Sequence, residues 1–279
     1  MSTNANISEP RDLAREHKIV TQEKWIAARK ALLKKEKEST RLLDELAAER
    51  HNLPWVKVDK NYIFDTPAGK VMLADLFAGH DQLVIYHFMF GPDWQEGCPS
   101  CSFVSDHFDA ALPHLAARDV TLAVVSHAPL AKLEAFKKRM DWHFNWVSSH
   151  GSDFNADYHV SFTPEEIAQG KVNYNYTMQE FPSAEAPGLS VFYKDAAGDV
   201  FHTYSTYGRG LELLMSTYRI LDVVPRGRDE DGLDFPMAWV RYHDRYDTNE
   251  FADPDKPYWP ETPSLASSTC GCNSSETRA

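Results

Sequence analysis

Two cysteines three residues apart, Cys98 and Cys101, enclose Pro99 and Ser100. The chain has 279 residues and four cysteines; the other two, Cys270 and Cys272, form a C-x-C pair near its end. So few cysteines in close pairs indicate redox or metal chemistry rather than a disulfide scaffold. A zinc site would need two further ligands for Cys98 and Cys101, and the second pair stands in a stretch rich in Pro, Ser, Thr and Asp. The dithiol reading leads, and no metal is assigned. Pro99 suits the first position of a helix, where its missing N–H costs nothing. Cys98 is then the N-cap residue, and the unpaired N–H groups and helix dipole there favour its thiolate, the nucleophilic form. Cys101 falls with Val104, Phe108, Leu112 and Leu115 on an apolar stripe of helical spacing. An exposed Cys98 should attack a partner, and a sheltered Cys101 should resolve the mixed disulfide. Pro113 should kink this helix.

Proton transfer at such a pair needs an acid or base within reach. Asp93 and Glu96 lie just before Cys98, and either could accept the proton of the resolving thiol. Pro187 precedes an apolar run; a cis Ala186–Pro187 bond beside the dithiol would present a backbone edge to a bound peptide. His87, inside an apolar run, reads as a core histidine, and His107 as a solvated one. His150, Asp153, Asp157 and His159 lie within ten residues and could chelate a hard or borderline metal, although a polar loop explains them as well. His202 and Tyr204, two apart on a strand, should share a face and line a pocket.

The elements that must position these residues divide the chain into three. Residues 1–52 form a helical arm, rich in Ala, Leu, Lys and Glu from Thr21 to Arg50, with Trp25, Ala28 and Leu32 on one face. Its apolar surface is too small for a separate domain, so it should pack on the body or on a second copy, giving a homodimer. Residues 53–248 form the body. There Tyr62–Phe64 and Val71–Leu73 flank the turn at Pro67-Ala68-Gly69. The unbroken apolar run Leu83–Phe90 fits a strand covered on both faces. A helix over Pro99–Ala117, a second buried strand over Val120–Val125 and a helix over Leu130–Arg139 follow. This β-α-β-α order implies parallel strands with helical crossovers. Thr163-Pro164-Glu165-Glu166 is a capping box stopped by Gly170. Leu189–Tyr193 and Val200–Tyr204 form a hairpin around Asp195-Ala196-Ala197-Gly198, and a last helix covers Arg209–Leu221. Residues 249–279 read as an extended tail, whose Cys270–Cys272 pair could shuttle electrons to the first.

A formal charge of −12 disfavours phosphate backbones, so no nucleic-acid partner is expected. No apolar run approaches the ~18 residues of a membrane span, and residues 1–15 lack the apolar stretch of a signal peptide. The expected location is the cytoplasm. No Gly-rich dinucleotide motif is visible, so no organic cofactor is implied.

The order of these elements, with Cys98-Pro-Ser-Cys101 and a proline before the hairpin, resembles the thioredoxin superfamily. Longer segments are similar to a bacterial domain-of-unknown-function family labelled predicted dithiol-disulfide oxidoreductase. They include Leu73-Ala-Asp-Leu-Phe77, Tyr86-His-Phe-Met-Phe-Gly-Pro-Asp-Trp94, Cys98-Pro-Ser-Cys-Ser-Phe103, Pro187-Gly-Leu-Ser-Val-Phe-Tyr193 and His243-Asp-Arg-Tyr246. The resemblance implies an α/β, thioredoxin-like fold, a central mixed sheet flanked by helices, and thiol–disulfide exchange at Cys98 and Cys101. Trp94 joins Pro187 as a candidate substrate contact. The partner would be a protein or small-molecule disulfide, and the reducing partner is not implied. Peroxiredoxins share this fold but place a Pro, then a Thr or Ser, seven and three residues before the cysteine. Gly91 and Gln95 stand at those offsets here, so a thiol peroxidase is the weaker alternative, beside a non-catalytic metal- or partner-binding module.

Overall fold

The computed structural model describes residues 13–246; the Cys270–Cys272 pair and the tail lie outside them. Two helices open the chain, α1 (Leu13–Glu16) and α2 (Gln22–His51), followed by short strands β1 (Val56–Lys57), β2 (Ile63–Thr66) and β3 (Gly69–Met72). Next come β4 (Gln82–His87), α3 (Pro99–Ser105), α4 (Leu112–Ala116), β5 (Val120–Ser126), α5 (Leu130–Arg139) and β6 (Asn145–Ser148). An irregular stretch holds α6 (Phe154–Asp157), α7 (Pro164–Ala168) and the small ladder of β7 (Val172–Tyr174) with β8 (Thr177–Gln179). The hairpin β9 (Gly188–Lys194) and β10 (Val200–Tyr207) leads into a 3-10 helix, Gly208–Leu214, and α8 (Ser216–Leu221).

Eight strands form one sheet in the order β1-β10-β9-β4-β5-β6-β2-β3. β4, β5 and β6 run parallel through helical crossovers, and β9 lies antiparallel on the other side of β4. The kernel β10-β9-β4-β5, with a helix after its first strand, is the thioredoxin-like arrangement. Side chains alternate across β4. Leu83, Ile85 and His87 face the layer that holds Phe154 and Phe192, whereas Tyr86 belongs with Phe88, Cys98 and Cys101 on the other face. Burying each large apolar side chain of these layers contributes about 1.5–3 kcal/mol.

Three expectations are corrected. The helix over Pro99–Ala117 is not kinked but broken. α3 stops at Ser105, a 3-10 turn covers Asp109–Ala111, and α4 starts anew with Pro113 in its first turn. A proline cannot supply the N–H that a continuous helix would need there. From the 3-10 turn, the Asp109 carboxylate accepts the N–H groups of His143 and Phe144. The last helix likewise splits, at Met215. Finally, His202 and Tyr204 do not share a face. A bulge between them sets His202 opposite Phe192 and Tyr204 opposite Val191, so the extra residue, Thr203, turns the two rings to opposite sides of the sheet.

None of the residues of α2 is buried, and Trp25 is 53% exposed. One tie to the body is Arg50, whose guanidinium lies 5.7 Å from the Tyr204 ring centre. No helix among the described residues is long and apolar enough to cross a membrane.

Candidate active site

β4 ends at His87, and the chain loops back to Cys98, whose N–H donates to Met89 O at 3.0 Å. Gly97 allows this return, because a Cβ there would lie 2.5 Å from the Phe88 ring. Cys98 is the N-cap of α3, and Pro99 occupies its first turn. Both thiols are free. Cys98 is 6% exposed and Cys101 2%, so the expected contrast between an exposed and a sheltered sulfur is absent. The contrast is electrostatic instead. The Cys101 thiol donates to the Cys98 sulfur, and the N–H groups of Cys101 and Ser100 add to it, holding the Cys98 pKa below that of an ordinary thiol against the cost of burial. Burial pushes the Cys101 thiol well up, and its hydrogen bond to Cys98 holds the proton on it.

A residue not singled out in the sequence completes the pair. Tyr86 is 1% exposed, and its hydroxyl has no nitrogen or oxygen partner. It interacts with the Cys101 thiol and favours its ionised form, while burial keeps the phenol itself protonated. In the sequence, Tyr86 is one ring in an apolar run. Only the alternation of β4, counted from the cysteine side, could have marked it.

Cys98, Cys101 and Tyr86 open on a cavity of about 410 Å³. Its other walls come from Pro187, from the 3-10 helix and α8, and from residues 222–246, which form a strap over the dithiol. The strap is anchored at several points. The Tyr242 hydroxyl donates to Gly97 O at 2.7 Å, and Tyr242 and Val240 are fully buried. Glu230 Oε1 accepts from the Tyr218 hydroxyl, the Trp239 indole and the Met237 N–H. Arg228 bonds Glu212 and Asp222 and lies over the Tyr218 ring. His243 Nδ1 is 2.7 Å from Asp106 Oδ1. His107, expected in solvent, is half-buried and pairs with Thr217 at 2.8 Å.

Pro187 lines the cavity beside the cysteines, but its peptide bond is trans, since the described residues contain no cis bond. The segment is held by its neighbours. Ala186 N–H donates to Val160 O, and Pro187 O accepts the Tyr174 hydroxyl at 2.7 Å. Glu185, buried, accepts from Ser161 and pairs with His127 Nδ1 at 2.9 Å, which raises the His127 pKa. Asp93, Glu96 and Trp94 are absent from the cavity wall. Asp93 is exposed. Glu96 Oε1 lies 2.6 Å from Arg139 and 3.1 Å from Arg245, fixing the loop to α5 and to the strap. Trp94 is buried against Gly91.

A second hollow, of about 430 Å³, lies between β1, the Tyr158 turn and His202. Lys60 bonds Asp153 at 2.8 Å and Asp157 at 2.6 Å, and Tyr62 donates to Asp157. The carboxylates of the suspected chelate are thus neutralised, and no group of three such ligands suits a metal among the described residues. From this hollow a file of hydrogen bonds enters the sheet, from His202 to Ser205, Ser190 and the buried His87. Burial, reinforced by His202, lowers the His87 pKa to about 3.

Among solved structures the chain is similar to peroxiredoxin Q of Xanthomonas campestris at 14% identity, covering 57% of this chain and 89% of that one with a TM-score of 0.38. A Chlorobium tepidum chain assigned as the thiol:disulfide interchange protein DsbE gives 14% identity, 59% and 97% coverage and a TM-score of 0.35. The peroxidoxin BcpB of Mycobacterium tuberculosis gives 14%, 60% and 97%, and 0.34. Strand order, rather than these distant likenesses, makes the fold thioredoxin-like. No curated protein matches the sequence. A family model does, over residues 14–246, a span that holds the sheet, both thiols, Tyr86 and the strap. The chain belongs to the family described as "Bacterial protein of unknown function (DUF899)".

Proposed function

We propose that this protein is a thiol–disulfide oxidoreductase in which Cys98 attacks and Cys101 resolves. The observation that carries this reading is a pair of free thiols at the N-terminus of α3 and in the wall of a cavity, with the Cys98 thiolate favoured by Cys101 and Ser100 and the buried Tyr86 in the same wall. The Cys98 thiolate forms a bond to one sulfur of the substrate disulfide, and the other sulfur leaves as a thiolate. Cys101 gives its proton to that leaving thiolate. Tyr86 stabilises the charge left on Cys101, which attacks Cys98 Sγ and expels the second substrate thiolate; a proton from solvent completes the second thiol. Two electrons pass to the substrate, and the protein is left with a Cys98–Cys101 disulfide for an external thiol to reduce. We place this chemistry in the cytoplasm, where thiols are kept reduced.

The test is a single turnover of pre-reduced full chain carrying Cys270→Ser and Cys272→Ser. One equivalent of disulfide should release two thiols and oxidise the pair. Cys98→Ser should reduce the rate to that of the uncatalysed reaction, and Cys101→Ser should stop at a mixed disulfide on Cys98. Full release of both thiols by Cys98→Ser overturns the reading.

A further inference from the structure

Resting on the reading above, we infer that the substrate is a small, uncharged, mostly apolar disulfide that enters the cavity whole, and not a protein disulfide. Four observations lead there.

The first is access. Both sulfurs are nearly buried, and the route to them is the cavity beneath the strap. A disulfide in a folded protein is carried on two backbones whose Cα atoms are about 4.4–6.8 Å apart. Those backbones would have to enter with it. A hollow of about 410 Å³ is in the range of small-molecule pockets, about 300–1,000 Å³.

The second is that the cover is held shut. Tyr242 bonds the carbonyl next to Cys98, Glu96 ties that loop to Arg245 of the strap, and Glu230 gathers three donors. Opening the site for a protein would break several hydrogen bonds to charged or buried groups at once, and hydrogen bonds to ionised acceptors are the stronger kind.

The third is that the backbone edge a peptide would use is already partnered. Pro187 has no N–H, its carbonyl accepts from Tyr174, and the Ala186 N–H donates to Val160. Gly188 is paired within the sheet to His87 and Tyr207. Recognition by strand addition depends on a free row of such groups.

The fourth is charge. The apolar side chains of the wall include Met89, Val104, Leu211, Met215 and Met237. The charged groups of the wall are two arginines, Arg209 and Arg228, and two glutamates, Glu212 and Glu230. Glu212 bonds both arginines and Glu230 is taken up by its three donors. The wall therefore offers no uncompensated charge to an anionic ligand, and burying an unpaired carboxylate among these methionines is costly. A multiply charged disulfide such as oxidised glutathione is disfavoured on this ground, and a neutral alkyl or aryl disulfide is favoured.

The experiment compares three oxidants on the pre-reduced full chain with Cys270→Ser and Cys272→Ser: diethyl disulfide, oxidised glutathione and insulin. Each rate is divided by that of dithiothreitol with the same oxidant, which removes intrinsic reactivity. Diethyl disulfide should be at least tenfold ahead of both others on this scale. In parallel, neutral iodoacetamide should outrun anionic iodoacetate on Cys98 by at least tenfold more than it does on dithiothreitol. If insulin or oxidised glutathione equals diethyl disulfide, the substrate assignment falls and the oxidoreductase reading stands. If none of the three oxidises the pair, both fall.

Discussion

Two of the hollows among the described residues, of about 410 and 430 Å³, are ones to which the sequence draws attention. One holds the C-x-x-C pair; the other borders the histidine and aspartate cluster around residue 155. In the second, each conspicuous carboxylate has found a cation or a hydroxyl, Lys60 and Tyr62 leaving Asp157 lower in pKa than an ordinary aspartate. In the first, the groups are left incomplete: two unjoined sulfurs and a buried phenol with no nitrogen or oxygen partner. Size does not separate the two. What separates them is a pair of free thiols and one buried hydroxyl, that of Tyr86, left without a nitrogen or oxygen partner in the wall of the first, because a buried group without a partner costs stability.

Tyr86→Phe breaks the comparison if it is mistaken. Loss of a hydrogen bond to a charged group, about 1.5–3 kcal/mol, should slow resolution by Cys101 by roughly tenfold to a hundredfold, read as accumulation of the mixed disulfide. Alkylation of Cys98 should change little. With Cys101 protonated, the variant should be no less stable than the parent, since it deletes a buried hydroxyl without a nitrogen or oxygen partner. A destabilised variant with normal resolution would make Tyr86 an ordinary core residue.

His87 sharpens the boundary between the two regions. Its pKa is lowered from about 6.5 to about 3, so the folded state holds it neutral. Its contribution to stability is fully present above the unfolded value and declines as pH falls from about 6.5 toward 3, because the unfolded chain takes up the proton first. Urea unfolding of the parent should lose more stability over that interval than His87→Gln does. Parallel curves would show that burial does not hold His87 neutral.

The smallest effect belongs to the second hollow. Lys60 and its aspartates are largely exposed, and exposed pairs contribute little. Lys60→Met should leave the melting temperature nearly unchanged and the disulfide exchange rate equal to the parent's. A marked loss of exchange would mean that the two hollows are coupled.

Much of this was legible locally. The capping box at Thr163 and Glu166 forms both of its hydrogen bonds, Gly198 takes the left-handed turn position, and Pro99 starts α3 behind Cys98. Each depends on residues within a few positions. What escaped depends on distance along the chain or on a single inserted residue. Nothing near Gly97 announces that Tyr242, 145 residues later, will close over it. The hydrophobic pattern of β10 reads as unbroken alternation, and one bulged residue, Thr203, reverses which side His202 occupies. Asp93 and Glu96 looked catalytic by proximity in sequence, yet the loop directs Glu96 to Arg139 and Arg245.

The Tyr242 anchor also sets an order of events during synthesis. All eight strands of the main sheet have been made once Tyr207 has left the ribosome, and domains begin to organise as they emerge. The segment that covers the sulfurs arrives afterwards. At about 5–20 residues per second, residues 208–246 follow the last strand by a matter of seconds. In that interval the proposed exclusion of large disulfides does not yet operate.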